Sequence, residues 1–430
     1  MNEVLADIRI LDLTAALAGP SATKILADLG AEVIKVENPS GGDYTRTLMP
    51  YIFESHNRNK RSVAIDIKRP EGIALVKRLA ATCDVLVQSM RPGAARAAGL
   101  GPDELAAANP RMIYASVSAF GSSGPDAQRR GVDGVAQAES GLAALQNGVL
   151  FNTSYVDTAA GLALSQAILI ALLKRERFGV AEPVDVSLLD TAVYMQAATI
   201  AEFSVDGALV DQARYPARHA TVGVYQAADG PLYMAPYWER DWREVCDIVG
   251  RPAWLTDPRF AERSARGRNA AVLRDLLERE FRHRPRAEWV AALEARGILA
   301  GIVRGYGELL RHPQLAVNKT LESQALPDGR TAVFVRAPFR FDGEPLASER
   351  PAPALGAATD ELLEELGVSS DERRALHESG VVLSDSHPPF RGRVTDPTRS
   401  QKAYVPSLRS PRDLGLWSRH DSNSGTSSGG

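Results

Sequence analysis

Cysteine is nearly absent: Cys83 and Cys246 are the only two among 430 residues. Two thiols cannot build a disulfide framework or a cysteine-rich zinc cluster, and they fit a reducing compartment. An excess of one charge is also missing. The 50 Lys and Arg against 53 Asp and Glu leave a formal net charge of −3, too weak a field to gather nucleic acid or an anionic membrane. Met1 to Arg9 carries acids rather than a basic stretch leading into an apolar run. Apolar runs such as Leu162–Leu173 are shorter than a bilayer requires. The expectation is a cytoplasmic protein with neither a signal peptide nor a membrane partner. The seven histidines are scattered, and no HExxH, GxGxxG or Walker pattern and no GxSxG elbow between a strand and a helix occurs. These absences disfavour a bound metal, a serine elbow, and the common nicotinamide, flavin and ATP routes.

What the sequence does hold is an ordinary apolar fraction of 44%, enough for two or three domains. Arg9–Thr14 reads as a strand, Gly19-Pro20-Ser21 opens a helix ending at Leu29-Gly30, and Glu32–Glu37 is a second strand. That spacing predicts a right-handed βαβ unit and a parallel sheet. Ser62–Ile67, Asp84–Gln88 and Ile113–Ser118 continue it as strands, with a helix from Pro70 to about Ala81. The fold class is α/β, with a doubly wound, Rossmann-like large domain.

Near Asp157 the pattern changes. A long apolar helix runs from Thr158 to about Lys174, a strand covers Pro183–Leu188, and helix continues to about Phe203. Val222–Ala227 and Leu232–Ala235 read as a hairpin about Ala228-Asp-Gly230. Three helical segments and a strand at Leu299–Val303 complete a smaller α+β domain. Thr331–Val335 and Phe339–Phe341 are expected to return as strands to the first domain. The expected division is a discontinuous large domain over 1–220 and 326–382, with a small domain over 221–325. The remaining 383–430 holds ten Ser, five Pro and five Gly with little to bury, and reads as a disordered tail.

By elimination, candidate chemistry falls to carboxylates. Asp157 stands in Tyr155-Val-Asp-Thr-Ala-Ala-Gly161, at the mouth of the long apolar helix. A helix N-terminus favours an ionised carboxylate and offers N–H donors to a developing oxyanion, while small neighbours admit a reacting group. The competing reading is a plain helix cap, a preferred Asp position. On pattern alone the cap is favoured. Asp133, in Gly131-Val-Asp-Gly134, is by itself a turn or cap residue.

Many motifs in a fixed order narrow this choice. They include Leu11-Asp-Leu-Thr14, Ala18-Gly-Pro20, Leu26 to Glu37, Gly42-Asp43 and Asn59-Lys-Arg-Ser62. Arg91-Pro-Gly93, Asn109-Pro-Arg111, Asp157 to Gly161, Val184 to Asp190 and Asp257-Pro-Arg-Phe260 follow. Through these the chain resembles the class III, CaiB/BaiF-type coenzyme A transferases over residues 5 to 382. The resemblance implies a small domain inserted in a Rossmann-like CoA-binding domain, in an interlocked homodimer. It implies that Asp157 is the nucleophile, attacking an acyl-CoA thioester to form an anhydride and then an aspartyl-CoA thioester. The substrates are then an acyl-CoA and a free carboxylic acid, with no metal or permanently bound cofactor. Relatives make a small dicarboxylate such as succinate a candidate donor.

Residue by residue, the resemblance places Leu17 and Ala18 at the thioester region. It places Ile65 and Lys68 along the adenine and phosphate end of CoA, and Met90 and Arg91 beside the nucleotide. Arg96 and Arg130 match basic CoA contacts, and Asp133 matches a Glu near the reacting carboxylate. The family's racemases carry Gly-His-Asp where this chain has Gly131-Val132-Asp133. Valine moves no proton, so transfer is favoured over α-methylacyl-CoA racemisation. The reading from another class is a non-catalytic CoA-binding protein.

Overall fold

The computed structural model describes residues 4–207, 220–326, 329–346 and 348–385. Its central feature is a sheet of six parallel strands: β1 (Arg9–Leu13), β2 (Glu32–Glu37), β3 (Arg61–Ile65), β4 (Val85–Gln88), β5 (Ile113–Ser118) and β6 (Val184–Ser187). Both faces are covered, so the strands carry near-continuous apolar runs. The period of two then sorts neighbours to opposite sides. Ile10, Val33, Val85 and Ile113 join one hydrophobic cluster with the Ala18–Asp28 and Tyr155–Phe178 helices. Leu11, Ile34, Leu86 and Tyr114 join the other, against the Pro70–Ala81 and Thr359–Glu365 helices.

Further along the chain, β7 (Gly223–Ala227), β8 (Gly230–Ala235) and β9 (Leu299–Ile302) form an antiparallel sheet in the order β7-β8-β9. It shares a separate aromatic-rich cluster with the Glu239–Ile248, Ala270–Phe281 and Arg286–Ala295 helices. Trp242 stacks on Trp254 there, with ring centroids 6.2 Å apart. The Trp289 indole N–H donates to the Phe281 carbonyl at 2.8 Å, so burying it leaves no polar group unpaired.

Two expectations need correction. Thr331–Val335 does not enter the large sheet; as β11 it pairs antiparallel with β10 (Leu321–Ala325), Leu321 opposite Val335. Within it only Phe334 is buried, while Val333 and Val335 on the opposite face are exposed, so the ladder is covered on one face where the large sheet is covered on both. Likewise β12 (Arg340–Phe341) pairs with β13 (Glu344–Pro345). The return to the large sheet is made instead by β14 (Val382–Leu383), antiparallel to β3 with Val382 opposite Ile65. The full order is β14-β3-β2-β1-β4-β5-β6. Of the segment expected to be a tail, Leu383 belongs to β14, and residues from 386 onward lie outside the described residues.

The second correction concerns the long helix. It spans Tyr155–Phe178, and its best 18-residue window has mean hydropathy 1.8. By length and composition it is able to cross a membrane, contrary to the shorter run read from the sequence. Its inner residues Val156, Ala160, Leu164 and Ile168 are packed into the core. Near its end the buried Arg175 pairs with Asp84 at 3.0 Å.

Candidate active site

A parallel sheet ordered 3-2-1-4-5-6 reverses its winding between β1 and β4, opening a crevice at the strands' carboxyl ends. A cavity of about 490 Å³ lies there. Its walls come from Ala15–Gly19 after β1, Ser89 after β4, Val117–Ala119 at the end of β5, and Asp157. Ala16 holds a left-handed backbone, φ 70°, a conformation disfavoured for a residue with a Cβ and frequent at functional turns. The Asp157 helix is seated by Gly161. A Cβ there would meet the Ser21 Oγ at 1.9 Å and the Ala18 carbonyl at 2.8 Å. Gly161 therefore serves close packing against the Ala18–Asp28 helix.

The cap reading of Asp157 is also corrected. The capping carboxylate is Asp133: its Oδ2 accepts the N–H groups of Val156 at 2.7 Å and Asp157 at 3.0 Å. Its Oδ1 accepts from Gln137, whose own Oε1 takes the Phe151 N–H at 2.8 Å. The first-turn donors expected to serve an oxyanion are thus already engaged. Among the described residues no hydrogen bond reaches the Asp157 carboxylate. Burial, with the Asp133 charge adding to it, pushes its carboxyl up to about 7. That outweighs the helix terminus, which was expected to keep the group firmly ionised.

The other predicted residues divide into two sets. Leu17 and Ala18 line the Asp157 cavity. Met90, Arg91 and Arg130 line a neighbouring cavity of about 340 Å³, which shares Ser89, Ser118 and Gly131 with the first. Arg96 lines a third, of about 420 Å³, again with Met90 and Arg91. It also pairs with Asp103 at 3.0 Å on the surface. The three make a continuous trough from Asp157 to the arginines. Ile65 and Lys68 stand outside it. Ile65 is wholly buried in the core, so its side chain offers a ligand no surface, while Lys68 is exposed on the loop after β3.

Sequence reasoning missed further walls, among them Tyr44, Met49, Ile52, Ser118 and Leu188. Ser118 ends β5 and Leu188 follows β6 directly, so position after a strand's carboxyl end was the available signal. Tyr44 is presented by a rigid loop. Asp43 beside it accepts from the Thr45 N–H at 3.0 Å and hydroxyl at 2.7 Å, and Arg46 binds Glu37 through two nitrogens at 2.7 and 2.8 Å. Burial together with the Asp43 and Asp157 carboxylates raises the Tyr44 phenol above its ordinary value.

Behind the crevice lies a second group of charges, wholly buried. Lys60 Nζ donates to Asp12 at 3.0 Å, Asn57 at 3.0 Å and the Pro20 carbonyl at 2.9 Å. Lys35 Nζ donates to the Thr14 carbonyl at 2.7 Å and pairs with Asp43 at 3.2 Å. Asp12 also accepts from Thr14 and from Thr23. Although burial opposes it, Lys60 and Lys35 hold the Asp12 carboxyl far below its usual range. These bonds fix both ends of the Thr14–Pro20 turn that walls the cavity.

The comparisons with known proteins agree with this architecture. The family model described as CoA-transferase family III matches residues 5–359. A probable fatty acyl-CoA transferase, Rv3272 of Mycobacterium tuberculosis, is 36% identical, covering 82% of this chain and 95% of the relative. The human succinyl-CoA:glutarate CoA-transferase is 33% identical, over 90% of this chain and 92% of that protein. A solved CaiB/BaiF family protein from Brucella suis matches with TM-score 0.76 and 29% identity, covering 85% of this chain and 100% of that one. The matched region spans the parallel sheet, the crevice and Asp157, and the chain belongs to CoA-transferase family III.

Proposed function

We propose that this enzyme transfers CoA between carboxylic acids with Asp157 as the covalent carrier. An Asp157 oxygen attacks the thioester carbonyl; the C–S bond breaks and CoA leaves as the thiolate, giving a mixed anhydride. The thiolate then attacks the aspartyl carbonyl, and the C–O bond breaks to release the donor acid as its carboxylate. An aspartyl-CoA thioester remains, and an acceptor carboxylate runs both steps in reverse. No oxidant, reductant or net proton is consumed. The observation that carries this reading is the unpartnered Asp157 carboxyl, held at about 7 in the crevice where the sheet's winding reverses.

Asp133 acts as a positioning residue, holding the turn that presents Asp157. Leu17 and Ala18 face the thioester, while Met90, Arg91, Arg96 and Arg130 take the nucleotide end of CoA. Ile65 contributes only through its place in the core. Lys68, on the loop after β3, reaches the phosphates only if CoA extends past the trough. Racemisation is disfavoured because Val132, which lines the cavity, carries no exchangeable proton. The same reading makes 221–325 an inserted domain and the working form an interlocked homodimer in the cytoplasm. In support of a second copy, Ile170, Leu173, Phe178, Tyr194 and Val205 are exposed on three successive helices, apolar surface that a partner chain would cover.

The test is mass spectrometry of the intact protein after incubation with an acyl-CoA and hydroxylamine. A hydroxamate mapped to Asp157 is expected. Label elsewhere, or turnover retained in Asp157→Ala, contradicts the mechanism.

A further inference from the structure

Charge is sorted sharply along the trough. The outer two cavities are lined by Arg91, Arg96 and Arg130, with Arg129 beside them. The Asp157 cavity is lined, among the described residues, by no Lys, Arg or His at all. Its charged groups are two carboxylates, Asp133 and Asp157, and most of its wall is apolar: Leu17, Met49, Ile52, Val117, Val132 and Leu188. We infer that the acyl end of this site takes monocarboxylic acids with an apolar body, and discriminates against dicarboxylates. The inference rests on the proposed CoA transfer and names its substrate class.

The argument follows the acid through one turnover. When the acceptor attacks, Asp157 is a neutral thioester and its own charge no longer opposes the incoming carboxylate. The attacking group of a monocarboxylate loses its charge as the anhydride forms, and its hydrocarbon body then rests on apolar wall. A dicarboxylate keeps a second negative charge throughout. Here, among the described residues, that charge finds no cation, only the Asp133 carboxylate, neutral hydroxyls and hydrocarbon, and a buried charge without an opposite charge is strongly disfavoured. The cations of the neighbouring cavity and beneath the turn do not relieve this. Arg130 is exposed and lines the outer cavity, and Arg129 is engaged with Glu139 and Asp126 on the surface. The cationic Lys35 and Lys60 lie beneath the Thr14–Pro20 turn, fully committed to Asp12, Asp43 and backbone carbonyls. The rigid Asp43–Thr45 loop carries Tyr44 into the cavity, so a phenol is the one neutral side-chain donor of any length there. It suits a thioester or carboxyl oxygen and supplies no charge.

The decisive experiment gives the full chain equimolar hexanoyl-CoA and succinyl-CoA, with propionate as acceptor. Chromatography with mass detection measures the two released acids, and hydroxylamine trapping reports on Asp157 in parallel. Hexanoate is expected to appear at least about tenfold faster than succinate, with Asp157 trapped. Equal or faster release of succinate, with Asp157 trapped, overturns the substrate class while CoA transfer stands. Release of neither acid with no trapping at Asp157 removes the transfer reading, and this inference with it. A second arm uses Met49→Lys, which brings a cation into the cavity wall. It is expected to move the hexanoyl-to-succinyl ratio about tenfold towards succinyl-CoA; an unchanged ratio in the folded variant contradicts the proposal.

Discussion

Asp12 and Asp157 are two aspartates on the same half of the molecule with opposite surroundings. Asp12 is fully buried, yet Lys60 and two threonine hydroxyls meet it and the Lys35 charge stands nearby, and its carboxyl stays far below the usual range. Asp157 is less buried, meets no cation, and faces a second carboxylate; its carboxyl rises to about 7. Burial acts in the same direction at both. Pairing decides the outcome: the paired charge becomes scaffold, and the unpaired one is left free to react. The scaffold also serves the reactive site, because Lys35 and Lys60 anchor the carbonyls of Thr14 and Pro20 at either end of the cavity-lining turn.

Breaking the reactive side should have the largest effect. Asp157→Ala is expected to lower transfer by on the order of 10³-fold or more in a steady-state assay, while circular dichroism and the melting profile remain native. The raised carboxyl also has a stability sign. Its contribution is full below the ordinary carboxylate value near 4 and is lost as pH rises through about 7. Asp157→Asn, which cannot ionise, should therefore exceed the wild type in stability at pH 8 and match it at pH 4, as read by urea unfolding.

Breaking the scaffold side should cost stability first. Lys60→Met removes the direct partner of a buried carboxylate and is expected to cost about 3–5 kcal/mol in urea titrations at pH 7; a loss below about 1 kcal/mol would contradict the pairing argument. Asp133→Asn joins the two sides. It weakens the cap, for about 1 kcal/mol, and removes the like charge facing Asp157. The acid limb of the acylation profile should move to lower pH, yet stay above the ordinary carboxylate range because burial remains. At the small end, Arg129→Ala breaks a surface pair with Glu139, 2.5 Å long and exposed on both sides. No resolvable change is expected in thermal unfolding; a clear drop in melting temperature would contradict the view that exposed pairs contribute little.

The sequence was most legible where local pattern and tertiary role coincide. β1 to β6 stand close to where apolar runs and turn residues placed them, since strands covered on both faces must be largely apolar. The two-residue β14 has no pattern of its own, and its place depends on a partner more than 300 residues away. Asp157 was visible from its motif, but the identity of the cap was not. Asp133 lies 23 residues from the N–H it satisfies, and no local spacing encodes that bond. Lys35 is the missed clue: a lysine amid the apolar run of β2. In a strand buried on both faces such a charge requires a buried partner, and following that requirement would have led to Asp43 and the turn beside the cavity.

The most direct test of the central claim is the pH dependence of single-turnover acylation, followed as thiolate release from hexanoyl-CoA under excess enzyme. The carboxylate is the attacking form, so the rate should rise with pH and level off around an apparent value near 7. It should be about tenfold below its plateau at pH 6, and the rising limb should vanish with activity in Asp157→Ala. A rate that is flat from pH 5 to 8 would mean that the group attacking the thioester is already fully ionised, contradicting an unpaired Asp157 as the reacting carboxylate.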